Sequence, residues 1–190
     1  MNNKTIVLDR DGVINHDSDA FIKSVDEWQP IAGSIEAIAK LTHAGYRVFV
    51  LTNQSGIARS LFSLETLSHI HAKMRHLVSA ANGSIDGVYF CPHGPDDDCD
   101  CRKPKAGLYD QLAKDENISF AGVYSVGDSI RDLEAAQIAG ATPVLVLTGK
   151  GKQSKKAITV SNDHPFKKTP SYANLADFVE FLLEKNYVEK

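Results

Sequence analysis

The sequence predicts an α/β fold built on a doubly wound parallel sheet. Five short apolar runs alternate with segments whose apolar residues recur at helical spacing, which is typical of consecutive β-α-β units. The run 47–51 is apolar nearly throughout, as expected for a strand that is buried on both faces. The chain has 190 residues, and we expect residues 1–190 to form a single domain.

The first half of the chain carries clear helix signals. A helix is predicted over 30–44, because its apolar residues follow a helical period and Gly45 suits the left-handed position that ends a helix. Ser63 is predicted to cap a long second helix, with one apolar stripe between Leu64 and Val78. Three histidines of this helix are predicted to lie at its surface or edge: His69, His71 and His76.

The second half continues the alternation. Strands are predicted at 86–90, 121–126 and 142–147, separated by helices over 106–116 and up to Gly140. We expect residues 148–169 to be irregular, since their lysines suit a solvated connection or, alternatively, a rim that attracts an anionic substrate. A last helix is predicted over 174–185.

Composition narrows the classes of function. The net charge of −3 provides no global basic field for nucleic acid or an anionic membrane, and no segment has the apolar length of a membrane span. The N-terminus lacks the apolar region of a signal peptide. An odd number of closely spaced cysteines argues against a disulfide framework. We therefore expect a cytoplasmic monomer without nucleic-acid or membrane partners.

Two aspartates follow the first predicted strand, 4–8. Asp9 and Asp11 are two residues apart and precede Gly12, so an extended backbone directs both carboxylates to one side. Ligands of open α/β sheets bind at the carboxyl ends of the strands. A close pair of carboxylates suits Mg2+, which completes its coordination with water and phosphate oxygens. Taken alone, the pattern fits a strand end followed by an Asp-Gly turn equally well.

Polar residues follow three further predicted strands. The second strand leads into the segment 52–56, Thr-Asn-Gln-Ser-Gly, whose hydroxyl and amide groups suit a phosphate. Arg102 and Lys103, beyond the third strand, are the bidentate and the point-charge partners of phosphate. The fourth strand ends in Gly-Asp-Ser at 127–129, with a second aspartate, Asp132, close behind. Right-handed crossovers would bring all these residues to one edge of the sheet.

A short loop after the third strand holds four potential metal ligands: Cys91, His93, Cys99 and Cys101. Three thiolates and one imidazole suit tetrahedral Zn2+ in a closed structural site. The alternative is a loop with three free thiols, but free cysteines favour burial, whereas the intervening segment 94–98 is polar. The spacing is not that of a zinc finger, so it indicates no nucleic-acid function. We predict a structural zinc site that clamps this loop.

Together these motifs resemble those of the haloacid dehalogenase (HAD) superfamily of phosphatases. The resemblance covers about residues 4–150 and rests on Asp9-x-Asp11-Gly12, Thr52, Lys103 and Gly127-Asp128-x3-Asp132. Four further features resemble the branch that acts on heptose bisphosphate: Asp9-Arg10-Asp11-Gly12, the run 53–59, the cysteine-histidine loop, and Arg102-Lys103-Pro104. The last two are shared with the histidinol-phosphate phosphatases. Ser60 departs from the glycine that this branch would lead us to expect.

The resemblance implies a HAD-like, capless phosphatase that uses both metals. Asp9 would be the nucleophile and Asp11 the general acid and base, while Thr52 and Lys103 would bind the phosphoryl oxygens. Asp9, the backbone carbonyl of Asp11, and Asp128 would hold Mg2+, and Asp132 would support them through hydrogen bonds. The implied contacts to a phosphorylated sugar are Asp17, Ser18, Asp19, Ala20, Asn53, Gln54, Ser55, Arg59, Arg102, Lys103 and Ser129. Such a substrate would place the enzyme in the synthesis of heptose precursors of lipopolysaccharide.

Three alternatives remain open at this point. Histidinol phosphate is a cation, so its pocket should present an extra carboxylate, whereas Arg59 and Arg102 favour a second phosphate. A signalling receiver domain also combines a phosphoacceptor aspartate with Thr and Lys, but Asp11 and the cysteine-histidine loop argue against it. A nucleic-acid 3′-phosphatase should have a basic groove and stacking aromatic residues, whereas this chain is acidic and has one tryptophan.

Overall fold

Residues 4–188, which this computed structural model describes, contain one sheet of six parallel strands in the order β3-β2-β1-β4-β5-β6. The strands are β1 Thr5–Leu8, β2 Arg47–Asn53, β3 Gly87–Cys91, β4 Tyr124–Gly127, β5 Thr142–Val146 and β6 Ser171–Tyr172. The helices are α1 Ser34–His43, α2 Leu64–Ala80, α3 Gly107–Glu116, α4 Ile130–Ile138, α5 Gly151–Val160 and α6 Leu175–Val188. The predicted doubly wound α/β fold is confirmed.

Side chains of β1 and β2 alternate between two hydrophobic cores, one on either face of the sheet, and a smaller third cluster contains Leu145 of β5 and Ile158 of α5. Ile6 and Leu8 of β1 point to the face covered by α1, α2 and α6, whereas Val7 points to the face covered by α3 and α4. Both faces are buried, which explains the nearly continuous apolar runs of the central strands. The fold therefore leaves polar chemistry to the ends of the strands.

The strand order determines where on the sheet a ligand can bind. β1 lies between β2 and β4, so the chain winds in opposite directions on either side of the gap between β1 and β4. Open α/β sheets bind ligands beyond the carboxyl ends of the strands at such a switch point. Asp9 follows β1 at this edge, and its backbone N–H donates 2.9 Å to the carbonyl of Val126 in β4.

The prediction of an irregular segment over 148–169 is wrong. Residues Gly151–Val160 of it form α5, which packs through Ile158, and a sixth strand, β6, follows at Ser171–Tyr172. α5 escaped prediction because Ile158 supplies nearly all of its buried apolar surface, and five lysine, glutamine and serine residues precede it. The cap signals of the first half are confirmed: Gly45 has a positive φ of 81°, and Ser63 Oγ accepts the N–H of Thr66.

None of the helices in the described part of the chain has the length and apolarity needed to cross a membrane.

Candidate active site

The polar strand ends meet in one cavity of about 240 Å3 at the carboxyl edge of the sheet. All the predicted catalytic, magnesium-binding and substrate-contacting residues line it except Ala20 and Arg59. The guanidinium of Arg59 lies instead 5.8 Å from the centre of the Phe21 ring, and Phe21 is one of the lining residues. The four strand ends thus build a single polar pocket.

Lys103 is fixed at the base of the cavity between two carboxylates. Its Nζ lies 3.0 Å from Oδ1 of Asp9 and 2.6 Å from Oδ1 of Asp132, and it donates 2.8 Å to the carbonyl of Leu51. Burial of Lys103 opposes its charge, but Asp132 and Asp9 outweigh this and raise its pKa above the usual range. Lys103 therefore presents a permanent positive charge beside Asp9.

Asp132 is held away from any ligand by its neighbours. Its Oδ1 contacts Lys103, while its Oδ2 accepts the backbone N–H of Ser129 at 3.0 Å and the Ser129 hydroxyl at 2.6 Å. Burial opposes the charge of Asp132, but Lys103 and Ser129 lower its pKa below the usual range. Since both oxygens are occupied, Asp132 orders Lys103 and the start of α4.

Asp9 and Asp128 are suited to hold a cation together. Carboxylate oxygens of Asp9, Asp128 and Asp132 lie within 4.8 Å of one another. Burial raises the pKa of Asp9 to about 7, and burial together with Asp132 raises that of Asp128 to about 8. Among the described residues, Oδ2 of Asp9 and Oδ1 of Asp128 accept no hydrogen bond. The two free oxygens and the raised pKa values fit Mg2+.

The charge balance of the cavity also calls for a cation. Six aspartates line it, against four basic residues: Arg102, Lys103, Arg131 and Lys150. A phosphate dianion would meet net repulsion there without a metal ion. Gly12 has a φ of +81°, and a Cβ atom at this position would lie 2.1 Å from Oδ2 of Asp128. Glycine at position 12 therefore keeps Asp128 close to β1.

Arg10, between the two aspartates, belongs to the Asp9-Arg10-Asp11-Gly12 motif but was not predicted as a site residue. It is fully buried, at 0% exposure. Its Nη2 lies 3.0 Å from each oxygen of Asp11, and its Nε lies 3.2 Å from Oδ1. Asp11 also accepts 2.8 Å hydrogen bonds from Asn15 Nδ2 and Gln54 Nε2. The carboxylate of Asp11 thus faces donors at both oxygens.

His71 and Gln54 hold Arg10 from the far side. Arg10 Nη1 lies 3.2 Å from His71 Nε2, and Arg10 Nη2 donates 3.1 Å to Gln54 Oε1. Because a guanidinium only donates, His71 accepts at Nε2 and is neutral. Burial and the charge of Arg10 accordingly lower the pKa of His71 to about 3. The prediction that His71 lies at the surface or edge of its helix is wrong, because His71 is buried. Sequence spacing could not reveal its pairing with Arg10, which is distant along the chain.

The four ligand atoms of the cysteine-histidine loop converge. Cys91 Sγ lies 3.1 Å from Cys101 Sγ and 3.7 Å from Cys99 Sγ, and His93 Nδ1 lies 3.3 Å from Cys101 Sγ. Sulfur atoms around a tetrahedral zinc are about 3.8 Å apart, as Zn–S bonds of about 2.3 Å require. Burial raises the pKa of Cys91 to about 12, so a cation is needed to hold it as a thiolate. The cluster is compatible with zinc.

This loop is joined to residues that line the cavity at two points. Arg102 Nη1 donates 3.1 Å to the carbonyl of His93. The amide side chain of Asn53 donates to the Lys103 carbonyl at 3.0 Å and accepts the Lys103 N–H at 3.1 Å. Asn53, predicted as a substrate contact, thus also connects β2 to the loop through these two hydrogen bonds.

Four lining residues were not singled out from the sequence as individual site residues: Phe21, Ile22, Arg131 and Lys150. Lys150 lies 3.5 Å from Asp17 and 3.4 Å from Asp19, so it ties α5 to the 17–20 loop. Arg102 and Arg131 both line the cavity, and burial together with the charges of Arg131 and Arg59 lowers the pKa of Arg102. Arg131 follows the Gly-Asp-Ser motif directly, and this position was the available signal for it.

Comparison with known proteins covers nearly the whole chain. A family model for haloacid dehalogenase-like hydrolases matches residues 6–82, and one for HAD-hydrolase-like proteins matches residues 100–175. A D-glycero-beta-D-manno-heptose-1,7-bisphosphate 7-phosphatase of Neisseria meningitidis serogroup A is 48% identical over 183 residues, 96% of each chain. A protein of the same name from Pseudomonas putida is 55% identical over 151 residues, 80% of this chain and 86% of its own. The chain belongs to the heptose-1,7-bisphosphate 7-phosphatase family.

As a member of this family of HAD-like hydrolases, the chain is a phosphoric monoester hydrolase. The D,D-heptose 1,7-bisphosphate phosphatase from B. bronchiseptica superposes with a TM-score of 0.89 at 48% identity, covering 95% of this chain and 98% of that one. That protein was crystallised with magnesium and phosphate. The relatives favour the heptose-bisphosphate branch over the histidinol-phosphate branch.

Proposed function

We propose that this phosphatase removes the 7-phosphate of D-glycero-β-D-manno-heptose 1,7-bisphosphate through a covalent aspartyl-phosphate. The observation that carries the proposal is one cavity with two separate positive groups. Lys103 lies beside Asp9 at the base, and the pair of guanidiniums of Arg102 and Arg131 lies at the rim. This arrangement suits a sugar with a phosphate at each end, and relatives named for that substrate support it.

The chemistry begins at Asp9. A free oxygen of Asp9 attacks the phosphorus atom, and the bond from phosphorus to the sugar oxygen breaks, so that the phosphoryl group is transferred to Asp9. Asp11 gives a proton to the departing alkoxide oxygen. In the second step Asp11 takes a proton from water, whose oxygen attacks the phosphorus atom and releases inorganic phosphate and Asp9.

Charge stabilisation falls to the residues around Asp9. When bound by Asp9, the backbone carbonyl of Asp11, and Asp128, Mg2+ supplies the positive charge that offsets repulsion between carboxylate and phosphate. The ammonium group of Lys103 and the hydroxyl of Thr52 are placed to bind phosphoryl oxygens. Gln54 Nε2 donates 3.0 Å to Thr52 Oγ1, which leaves the Thr52 proton free to point at the phosphate.

The cysteine-histidine loop and the 17–20 loop shape the remainder of the pocket. With zinc bound as a structural ion, the loop would fix the direction of Arg102 through its contact with the His93 carbonyl. The sugar would lie between this loop and the contacts from Asp17, Ser18 and Asp19, with Asn53, Ser55 and Ser129 beside it. The carboxylates of Asp17 and Asp19 are engaged by Lys150, which disfavours the cationic histidinol phosphate.

We further propose that the protein acts as a cytoplasmic monomer without nucleic-acid or membrane partners. The net charge of −3 supports this, because it provides no attraction for polyanionic surfaces. Sedimentation of the purified protein over a range of concentrations tests whether it is a monomer.

The deciding measurement is phosphate release in the presence of Mg2+ from both anomers of heptose 1,7-bisphosphate and from histidinol phosphate. We expect rapid release from the β anomer, slower release from the α anomer, and little from histidinol phosphate. Asp9→Asn should abolish all release while leaving the fold intact. Faster release from histidinol phosphate would overturn the proposed substrate and retain the reaction class.

A further inference from the structure

Arg10 contacts both catalytic aspartates through different groups. Its backbone N–H donates 2.7 Å to Oδ1 of Asp9, whereas its guanidinium faces both oxygens of Asp11. A change of the Arg10 side chain therefore disturbs the surroundings of Asp11 and leaves the backbone contact to Asp9 in place. The two steps that depend on Asp11 can thus be separated from the attack by Asp9.

Burial of the charged Arg10 side chain costs free energy of desolvation, so stability alone does not explain its position. Arg10 is 0% exposed, and a buried ion pair contributes little more to stability than an apolar residue of similar volume. Every nitrogen of the guanidinium is engaged: Nε and Nη2 with Asp11, Nη2 with Gln54 as well, and Nη1 with His71. A planar guanidinium with three fixed partners has one orientation, and it imposes that orientation on the Asp11 carboxylate.

We propose that Arg10 is a positioning residue for Asp11, and that His71 and Gln54 keep Arg10 in place. The inference rests on the proposed role of Asp11 as acid and base. His71 is suited to this task because it is neutral and accepts from Arg10, and because it packs edge-on against Phe90 at a ring distance of 6.0 Å. The acid-base residue at the edge of the sheet is thus anchored by α2, through a residue that lies outside the cavity.

The test compares two leaving groups. The sugar alkoxide needs a proton from Asp11, whereas p-nitrophenolate departs without one. For Arg10→Lys we expect kcat on the sugar phosphate to fall about 100-fold with little change in KM, the size of a lost general acid. With p-nitrophenyl phosphate the variant should still release a rapid burst of one phenolate per enzyme, followed by slow turnover, because only the hydrolysis of the aspartyl-phosphate is impaired.

His71 provides a second set of variants, should Arg10→Lys fail to fold. His71→Leu should lower kcat on the sugar phosphate in the same selective way. His71→Gln, which retains an acceptor, should restore it. His76→Leu is the matched control, because His76 is exposed on the same helix, and its kinetics should equal those of the unchanged protein.

Two outcomes would overturn the inference: equal losses on both substrates without a burst, or no loss on either. Failure of the proposed function is distinguishable from both. In that case the unchanged protein would hydrolyse p-nitrophenyl phosphate but neither anomer of the heptose bisphosphate, and the comparison of variants would then be made on the alkyl phosphate that it does hydrolyse.

Discussion

The backbone N–H of Lys150 donates a 2.7 Å hydrogen bond to Oδ2 of Asp128. The same residue reaches Asp17 and Asp19 with its side chain. The start of α5 is therefore attached both to a proposed magnesium ligand and to the loop over the pocket, through two groups that mutation can separate.

Replacing Lys150 by alanine should weaken substrate binding and leave catalysis nearly intact. The backbone contact to Asp128 persists, but Asp17 and Asp19 lose their counter-charge and repel the substrate phosphates. Since partly exposed ion pairs contribute up to about 1 kcal/mol, KM should rise by up to about fivefold with kcat unchanged. Steady-state kinetics check this, with the exposed neighbour Lys152→Ala as control. A loss confined to kcat would contradict the expectation.

Mg2+ should stabilise the protein more at pH 8 than at pH 6. The pKa values of Asp9 and Asp128 are raised from 3.8 to about 7 and 8, so the metal-free folded state holds protons that the unfolded state releases. Stability without metal should therefore fall as pH rises from about 4 towards 8. Mg2+ takes the place of these protons.

Thermal unfolding with EDTA and with Mg2+ at both pH values measures this effect. At 100 times its Kd, Mg2+ should raise Tm on the order of 5–10 °C at pH 8, and less at pH 6. Asp128→Asn should abolish the response. An equal response at both pH values would show that protons and Mg2+ do not compete for these carboxylates.

Cys99→Ser should remove the proposed zinc and lower activity without altering the sheet. Arg102 and Lys103 directly follow the cysteine-histidine loop, so its loosening should lower kcat/KM about 10–100-fold. Elemental analysis should find one zinc per chain in the unchanged protein and none in the variant. Asp96→Ser, on the exposed tip of the same loop, is the control. Full activity of zinc-free protein would refute a positioning role for the metal.

Ser60→Gly should stabilise the fold. Ser60 has a φ of 55°, in the left-handed region where a side chain costs about 1 kcal/mol and glycine does not. Because glycine also gains freedom in the unfolded chain, the free energy of unfolding should rise by no more than about 1 kcal/mol. Urea denaturation checks this against Ser68→Gly in α2, which should destabilise by about 0.5–1 kcal/mol. A loss at both positions would exclude relief of backbone strain at Ser60.

The positive φ of Ser60 also explains why a glycine suits position 60.

The features that the sequence predicted were local: Asp9, Thr52 and Asp128 each follow a strand directly, and parallel topology alone brings such ends together. Arg10 and His71 are 61 positions apart, and no period or motif links them. Their pairing depends on how α2 packs against the sheet, which spacing along the chain does not encode.

Lys103 was predicted from the sequence, but its main contacts were predicted only in part. Its proposed role was predicted from its chemistry and from the resemblance, but its partner Asp132 was expected only to support the motif through hydrogen bonds. The structure specifies that support as a 2.6 Å contact to Lys103 and a capping box at the start of α4. Such contacts depend on the tertiary structure and cannot be predicted from local sequence, because the loop of Lys103 and the helix of Asp132 belong to different β-α units.

The central position of β1 has a consequence for the folding of the chain during translation. β1 is translated before the other five described strands, yet Ile6 pairs with Val48 on one side and with Tyr124 on the other. Asp9 cannot meet Lys103 and Asp132 until translation has passed position 132. A nascent or prematurely terminated chain that stops before β4 would therefore expose one flank of β1, an open edge that invites aggregation and chaperone binding.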